Sequence, residues 1–386
     1  MADSRPVTLD LEGLQRLIDV LGEQGFTVLG PTVRSGAVVP GRVGSVADLP
    51  RGWGDRQEPG SYRLRRRDDD ALFGYAADAI GWKAVLFPAR ELMWSGSVGP
   101  DGFDVRPGPG PSTYGEPPYA VLGIRSCDLH AVAVHDRVLA ERTYADPHYA
   151  ERRRDAFLVT VVCGDPSGTC FCVSMGTGPR ADAGYDLALT ELLDGQHRFL
   201  ARAGSARGEA VLAAVDTRPA EDRDEEESEQ VVAHAVAHMG RAMDTTGLRD
   251  LLYDNAEHPR WDDVASRCLS CGNCTMVCPT CFCTSVEEHT SLSGHDTEHW
   301  RIWDSCFTTD FSYLHGGSVR TSPRSRYRQW MTHKLAAWID QFGTSGCVGC
   351  GRCLTSCPVG IDITEEVAAI RAAPGPRKED AHATGR

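Results

Sequence analysis

One spacing occurs twice: Cys268-x2-Cys271-x2-Cys274-x3-Cys278-Pro279, and again Cys347-x2-Cys350-x2-Cys353-x3-Cys357-Pro358. This CxxCxxCxxxCP pattern constrains the fold more than any other feature of the chain. Three thiolates on one tight loop can hold three corners of an iron–sulfur cubane, and the fourth has to come from elsewhere. In two-cluster ferredoxins the last cysteine of each run serves the other cluster. That rule assigns Cys268, Cys271, Cys274 and Cys357 to one [4Fe–4S] cluster, and Cys347, Cys350, Cys353 and Cys278 to a second. The two runs must then fold against each other. Gly272, Gly349 and Gly351 suit tight loops whose backbone N–H groups can point at sulfide. Zinc, which also uses CxxC pairs, is the competing reading. It needs neither the third close thiol nor the trailing Cys-Pro.

Residues 279–346 separate the runs, too many for a small ferredoxin hairpin. The second run continues as PVGIDITEEVAAIR, with Ile361, Ile363, Val367 and Ile370 on one helical face. These features point to an α-helical ferredoxin domain with a 279–346 insertion. Further helix is expected over 326–342, with Trp330, Leu335, Trp338 and Ile339 as core candidates and His333 packed nearby.

The chain has fifteen cysteines, four between 127 and 172 and eleven between 268 and 357. No apolar run approaches the ~18 residues that cross a bilayer. The N-terminus also lacks the basic and apolar regions of a secretory signal. A cytoplasmic, non-membrane protein is expected, in which cysteines serve as metal ligands or redox groups rather than disulfides. Two apolar runs, AVLGI and FLVTVV, read as buried strands. They end at Cys127 and Cys163, and such strand ends share one edge of a parallel sheet. Cys170 and Cys172 follow in CGDPSGTCFC. These four thiols make a candidate third [4Fe–4S] site, with zinc or inert buried cysteines as alternatives. Asp128 is either a further ligand or a helix N-cap. The phrase TCFC recurs at 280–283, where Cys281 and Cys283 are joined only by Cys306. A cluster there would need His289, His295, His299 or Asp304. A thiol pocket tuning the neighbouring cluster fits equally well.

The rest of the chain reads as mixed α+β. A helix is expected over 9–24, then strands in FTVLGPTV, GAVVPGRV and KAVLFPARELMW, and a loop over 99–118. The acidic stretch 219–229 reads as a boundary between an N-terminal α/β domain (1–222) and the ferredoxin domain (223–386), whose tail from 372 is expected to be disordered. A net charge of −14 argues against nucleic acid. The basic runs 63–67 and 152–154 suit a solvated face or a subunit contact. Lysine occurs only at 83, 334 and 378, which reads as composition rather than function. There is no GxGxxG after a strand, no phosphate loop, no HExxH and no nucleophile elbow. Neither flavin nor NAD(P) is therefore expected on this chain, and no catalytic residue is assigned.

The stretches KAVLFPARELM, GIRSCDLHAV, VVCGDPSGTCFCVSMGTGP, GYDLALTEL, CLSCGNCTMVCPTCFC, WDSCF and HKLAAWIDQFGTSGCVGCGRCLTSCPVGIDI run from about residue 80 to 370. Through them the chain resembles the iron–sulfur β subunit of cytoplasmic, sulfhydrogenase-type [NiFe]-hydrogenases and the related A subunit of anaerobic sulfite reductase. The resemblance implies an electron-transfer subunit. Its partners would be a flavin and [2Fe–2S] subunit handling NAD(P)H, and either the small and large [NiFe] subunits or a sirohaem subunit.

Overall fold

The computed structural model describes residues 5–76, 81–100, 102–108 and 117–373. Its largest element is an eight-stranded sheet. The strands lie in the order Arg218–Pro219, Val7–Asp10, Arg198–Ala203, Leu187–Leu192, Phe157–Val161, Tyr119–Ile124, Thr27–Arg34, Ala37–Arg42. The four from Leu187–Leu192 to Thr27–Arg34 are mutually parallel, and the outer pairings are antiparallel. Tyr119–Ile124 and Phe157–Val161 are buried at every position. Their unbroken apolar sequences therefore occupy the centre, where both faces are covered. Helix Leu11–Glu23 starts where Asp10 accepts hydrogen bonds from the N–H groups of Glu12 and Gly13. It packs Leu14, Leu17, Ile18 and Leu21 into the core on this sheet.

Three expectations change. The run KAVLFPARELMW is a short helix, Lys83–Leu86, followed by strand Arg90–Gly99, because Pro88 cannot continue either element. Within 99–118, Gly102–Pro107 is an exposed edge strand, while 109–116 lie outside the described residues. The acidic stretch expected as a boundary leads into helix Asp222–Ala237, which lies on the N-terminal sheet. Arg198 binds Asp224 at 2.8 Å and Glu227 at 2.6 Å, and Ser228 donates to Thr190. Asp222, Asp224 and Glu225 stand in its first turn, where the helix dipole favours negative charge.

The C-terminal region is mixed rather than purely α-helical. Residues between the cysteine runs form a hairpin, Thr284–Thr290 with Asp296–Trp303. Its second strand pairs with Arg90–Gly99 from the first half of the chain, giving a four-stranded sheet. Val286 to Thr290 are exposed on both faces of Thr284–Thr290, so its sequence TSVEEHT carries almost no apolar alternation. What holds the hairpin is tertiary. Buried Glu91 pairs with Arg152 at 2.5 Å and with Arg301, and His299 stands edge-on to Trp94 at 4.5 Å. The helical core gathers Trp261, Tyr327, Trp330, Met331, Leu335, Leu354, Ile363, Val367 and Ile370. The helix expected over 326–342 runs as Pro323–Thr332, a π-helical turn His333–Ala337, and Trp338–Phe342. Trp330, Leu335 and Trp338 are buried and Ile339 is largely exposed. The expected disordered tail lies almost wholly outside the described residues. Among the described residues no helix is long and apolar enough to cross a membrane.

Candidate metal centres

Both CxxCxxCxxxCP runs fold alike. A glycine in the left-handed region (Gly272 at φ 77°, Gly351 at φ 75°) caps a one-turn helix, Asn273–Met276 or Arg352–Thr355. The two short helices pack on each other. A cavity of about 30 Å³ is lined by Cys268, Cys271, Cys274 and Cys357, with Cys353, Phe307, Tyr327, Trp330, Ile361 and Ile363 around them. Three thiols of the first run thus face the last thiol of the second.

The residues here fit a sulfur-rich anionic group. Tyr327 and Trp330 are buried, yet among the described residues the tyrosine hydroxyl and the indole Nε1–H have no hydrogen-bond partner. Unsatisfied buried donors cost stability unless something accepts from them. Burial pushes the Tyr327 hydroxyl well up, and the charges of Glu366, Cys274, Cys353 and Cys268 add to that, so it stands among the sulfurs. The backbone N–H of Ser270 donates to Cys268 Sγ at 3.4 Å, and that of Ile361 to Cys357 Sγ at 3.3 Å. Burial pushes the Cys274 thiol well above its ordinary range, so a bound cation is what would keep it ionised.

Cys278 of the first run lies instead with Cys347, Cys350 and Cys353, and its charge bears on all three. Burial pushes Cys347 up to about 12 and Cys350 up to about 11. Cys278 is the exception. A hydrogen bond from the Cys281 thiol, then the Lys334 ammonium, hold it as a thiolate well below the ordinary range. Thr280 Oγ1 lies 3.1 Å from its sulfur.

The first TCFC phrase sits directly on the second run. Phe171 N–H donates to Gly349 O at 2.8 Å, Thr177 Oγ1 to Val348 O at 2.6 Å, and Cys170 Sγ to Cys350 O at 3.8 Å. Gly349 has φ 64°, and a Cβ there would meet Phe171 O at 2.6 Å and Cys172 Cα at 2.7 Å. The glycine therefore serves close backbone approach as well as the turn. Cys163 and Cys170 bear electrostatically on Cys172, and Cys127 packs with Cys172, Val348 and Cys350. Burial pushes Cys170 up to about 11 and Cys127 well up. Behind them buried Arg125 donates to five carbonyls, those of Phe73, Tyr75, Ala76, Val161 and Val162, and so ties both strand ends to one loop.

Asp128 is not an N-cap, and both of its carboxylate oxygens are taken up by Arg352. It is the third residue of helix Ser126–His135 and pairs with Arg352 through two hydrogen bonds of 2.8 and 2.9 Å. Arg352 lies 224 positions away, so no local pattern announces the pair.

At the second TCFC phrase, Cys281 adjoins Cys278, and Cys306 lies between Cys283 and Cys274, pushed up to about 12 by burial. His289 and His299 sit on the hairpin, facing Glu287 and Glu288. Asp304 accepts from Ser285 and from Ser305 N–H, its own N–H donates to Cys283 O at 2.9 Å, and its carboxylate acts on the Cys283 thiol through its charge. Among the described residues no three His, Cys, Asp or Glu side chains close on one point as a tetrahedral ion requires.

Two cysteine runs that interleave around a buried cavity define an iron–sulfur protein of the two-cluster class. A family described as a 4Fe-4S dicluster domain matches residues 267–361. The chain is also 34% identical, over 332 residues, to sulfhydrogenase 2 subunit beta of Pyrococcus furiosus, a match covering 84% of this chain and 93% of that protein. The chain belongs to the sulfhydrogenase β-subunit family. No solved structure gives a significant match.

Proposed function

We propose that this chain is the electron-transfer iron–sulfur subunit of a cytoplasmic [NiFe]-hydrogenase. It would relay electrons between a flavin-bearing NAD(P)H-reductase subunit and the small and large catalytic subunits. The observation that carries the reading is the interleaving of the two runs around the Cys268–Cys271–Cys274–Cys357 cavity. The β-subunit relative favours the hydrogenase branch over sulfite reduction.

Under this reading Cys268, Cys271, Cys274 and Cys357 hold one [4Fe–4S] cluster, and Cys347, Cys350, Cys353 and Cys278 hold a second. Cys127, Cys163, Cys170 and Cys172 hold a third beside the second run. Bound clusters would supply one-electron chemistry. The chain's own residues do the rest. Tyr327, Trp330 and the N–H groups of Ser270 and Ile361 offer hydrogen bonds to sulfur, and Phe307, Phe171 and Ile363 keep water out. The backbone bond from Phe171 N–H to Gly349 O would hold the second and third sites at a set spacing. No flavin or NAD(P) site is assigned to this chain.

Iron and acid-labile sulfide analysis of anaerobically purified protein tests the reading. About twelve irons per chain supports three clusters and about eight supports two. Zinc without sulfide would end it. Co-purification with [NiFe] subunits supports the hydrogenase branch, and a sirohaem partner overturns it.

A further inference from the structure

Lysine occurs at only three positions, 83, 334 and 378, in a chain with forty Lys and Arg together. Two of the three are buried, and both lie at the second TCFC phrase. Lys334 Nζ is 3.1 Å from Cys278 Sγ, 3.7 Å from Cys281 Sγ, 3.0 Å from Thr280 Oγ1 and 3.2 Å from Gly346 O. Lys83 Nζ donates to the carbonyls of Met276 at 3.1 Å and Cys281 at 3.3 Å, and lies 3.6 Å over the Trp303 ring. Both side chains are 6% exposed. Lys334 has four acceptors and Lys83 two carbonyls and a ring face, and among the described residues none of these partners is a carboxylate. A buried charge with no counter-charge is strongly disfavoured. Among the described residues, the groups bonded to Lys334 that can carry negative charge are the Cys278 and Cys281 thiols, while Lys83 bonds carbonyls. Lys334 is set in place by the π-helical turn His333–Ala337, an irregularity common at functional sites.

The other cavity is different. The unpartnered donors that line it, Tyr327 and Trp330, are neutral, and buried Arg326 reaches the Cys268–Cys271 loop at Ser270 Oγ, 3.4 Å away, with no sulfur among its hydrogen-bond partners.

We propose that Lys334, supported by Lys83, is the counter-charge of the cluster that Cys278 helps to hold, and raises that cluster's reduction potential above that of the Cys268–Cys271–Cys274–Cys357 cluster. The inference rests on the cluster assignments above. Reducing a cluster by one electron adds one negative charge and makes or breaks no bond. A fixed positive charge a few ångströms away therefore stabilises the reduced form more than the oxidised one. The second TCFC phrase then acquires a role: Cys281 carries the hydrogen-bonding thiol and the carbonyl that hold the two ammonium groups around Cys278. Electrons entering the chain would rest on the Cys278 side, next to the first TCFC phrase.

Potentiometric titration followed by EPR, on the full chain purified anaerobically, tests this. In Lys334→Met, one cluster signal should need at least about a tenfold larger reducing drive, ~59 mV for a one-electron couple. The second ferredoxin signal should stay in place. Lys334→Arg should restore part of the shift, because it keeps the charge. Lys83→Met should move the same signal in the same direction, by less. It carries the test alone if Lys334→Met fails to retain its clusters. An unmoved potential in either Met variant that keeps its iron overturns the proposal, as does an equal shift of both signals. Absence of iron and sulfide from the unmodified protein would instead overturn the cluster assignments.

Discussion

Removing the Asp128 carboxylate should cost more than any other single change at the junction between the first half of the chain and the cysteine loops. Asp128 and Arg352 are each 2% exposed and meet through two hydrogen bonds of 2.8 and 2.9 Å. In Asp128→Ala the guanidinium keeps its burial and loses both hydrogen bonds to this carboxylate. Breaking a buried pair this way costs about 3–5 kcal/mol. A Coulomb estimate agrees, at about 4 kcal/mol for unit charges roughly 4 Å apart at an effective dielectric of about 20. At about 2 °C per kcal/mol, the unfolding midpoint should fall by about 6–10 °C. Anaerobic thermal scans read by tryptophan fluorescence would measure it. Replacing both partners, as Asp128→Leu with Arg352→Met, should recover most of the loss, since an apolar pair removes both buried charges. A single-variant loss under about 1 kcal/mol would refute the reasoning. So would a double variant as unstable as the sum of the singles.

Three further outcomes follow from the same geometry. Gly349→Ala should destabilise by about 1–3 kcal/mol, because φ is 64° and the new Cβ would meet Phe171 O at 2.6 Å; urea midpoints check it. Cys271→Ser, at an exposed corner of the first cavity, should lower the iron content by about four per chain without unfolding it, read by iron analysis and circular dichroism. Burial opposes the Glu91 carboxylate, but Arg152 and then Arg301 and His148 hold its pKa below the ordinary 4.5. The stability it lends is therefore complete above about pH 4.5 and is lost as pH falls through the lower folded value. Glu91→Gln should flatten that part of the stability curve, measured as thermal midpoints between roughly pH 6 and pH 3.

Some of this was readable in one dimension because it is local. The spacing of each cysteine run forces a tight loop, and the unbroken runs AVLGI and FLVTVV mark strands buried on both faces. Other parts left no such mark. Thr284–Thr290 is polar because it faces water, and only pairing with Asp296–Trp303 makes it a strand. The acidic stretch 219–229 looked like a linker because its partners, Arg198 and Thr190, lie on strands. Asp128 suggested a cap or a ligand until Arg352 came beside it. Lysine at 83 and 334 looked like composition until both were found buried at Cys278 and Cys281.

By itself the sequence determined the chemistry on offer. Two runs of the same spacing each carry three thiols on a loop and a fourth that the loop cannot bring back to them, so each has to meet the other. Covalent geometry settles that within a dozen residues. Tertiary structure decided the surroundings of each thiol group. It set the first TCFC phrase against Gly349 and wrapped the second around two ammonium groups, and it left Tyr327 and Trp330 facing the remaining cavity. Those surroundings depend on segments a hundred or more residues apart. Only the packed core makes them neighbours, and no local period in the chain encodes them.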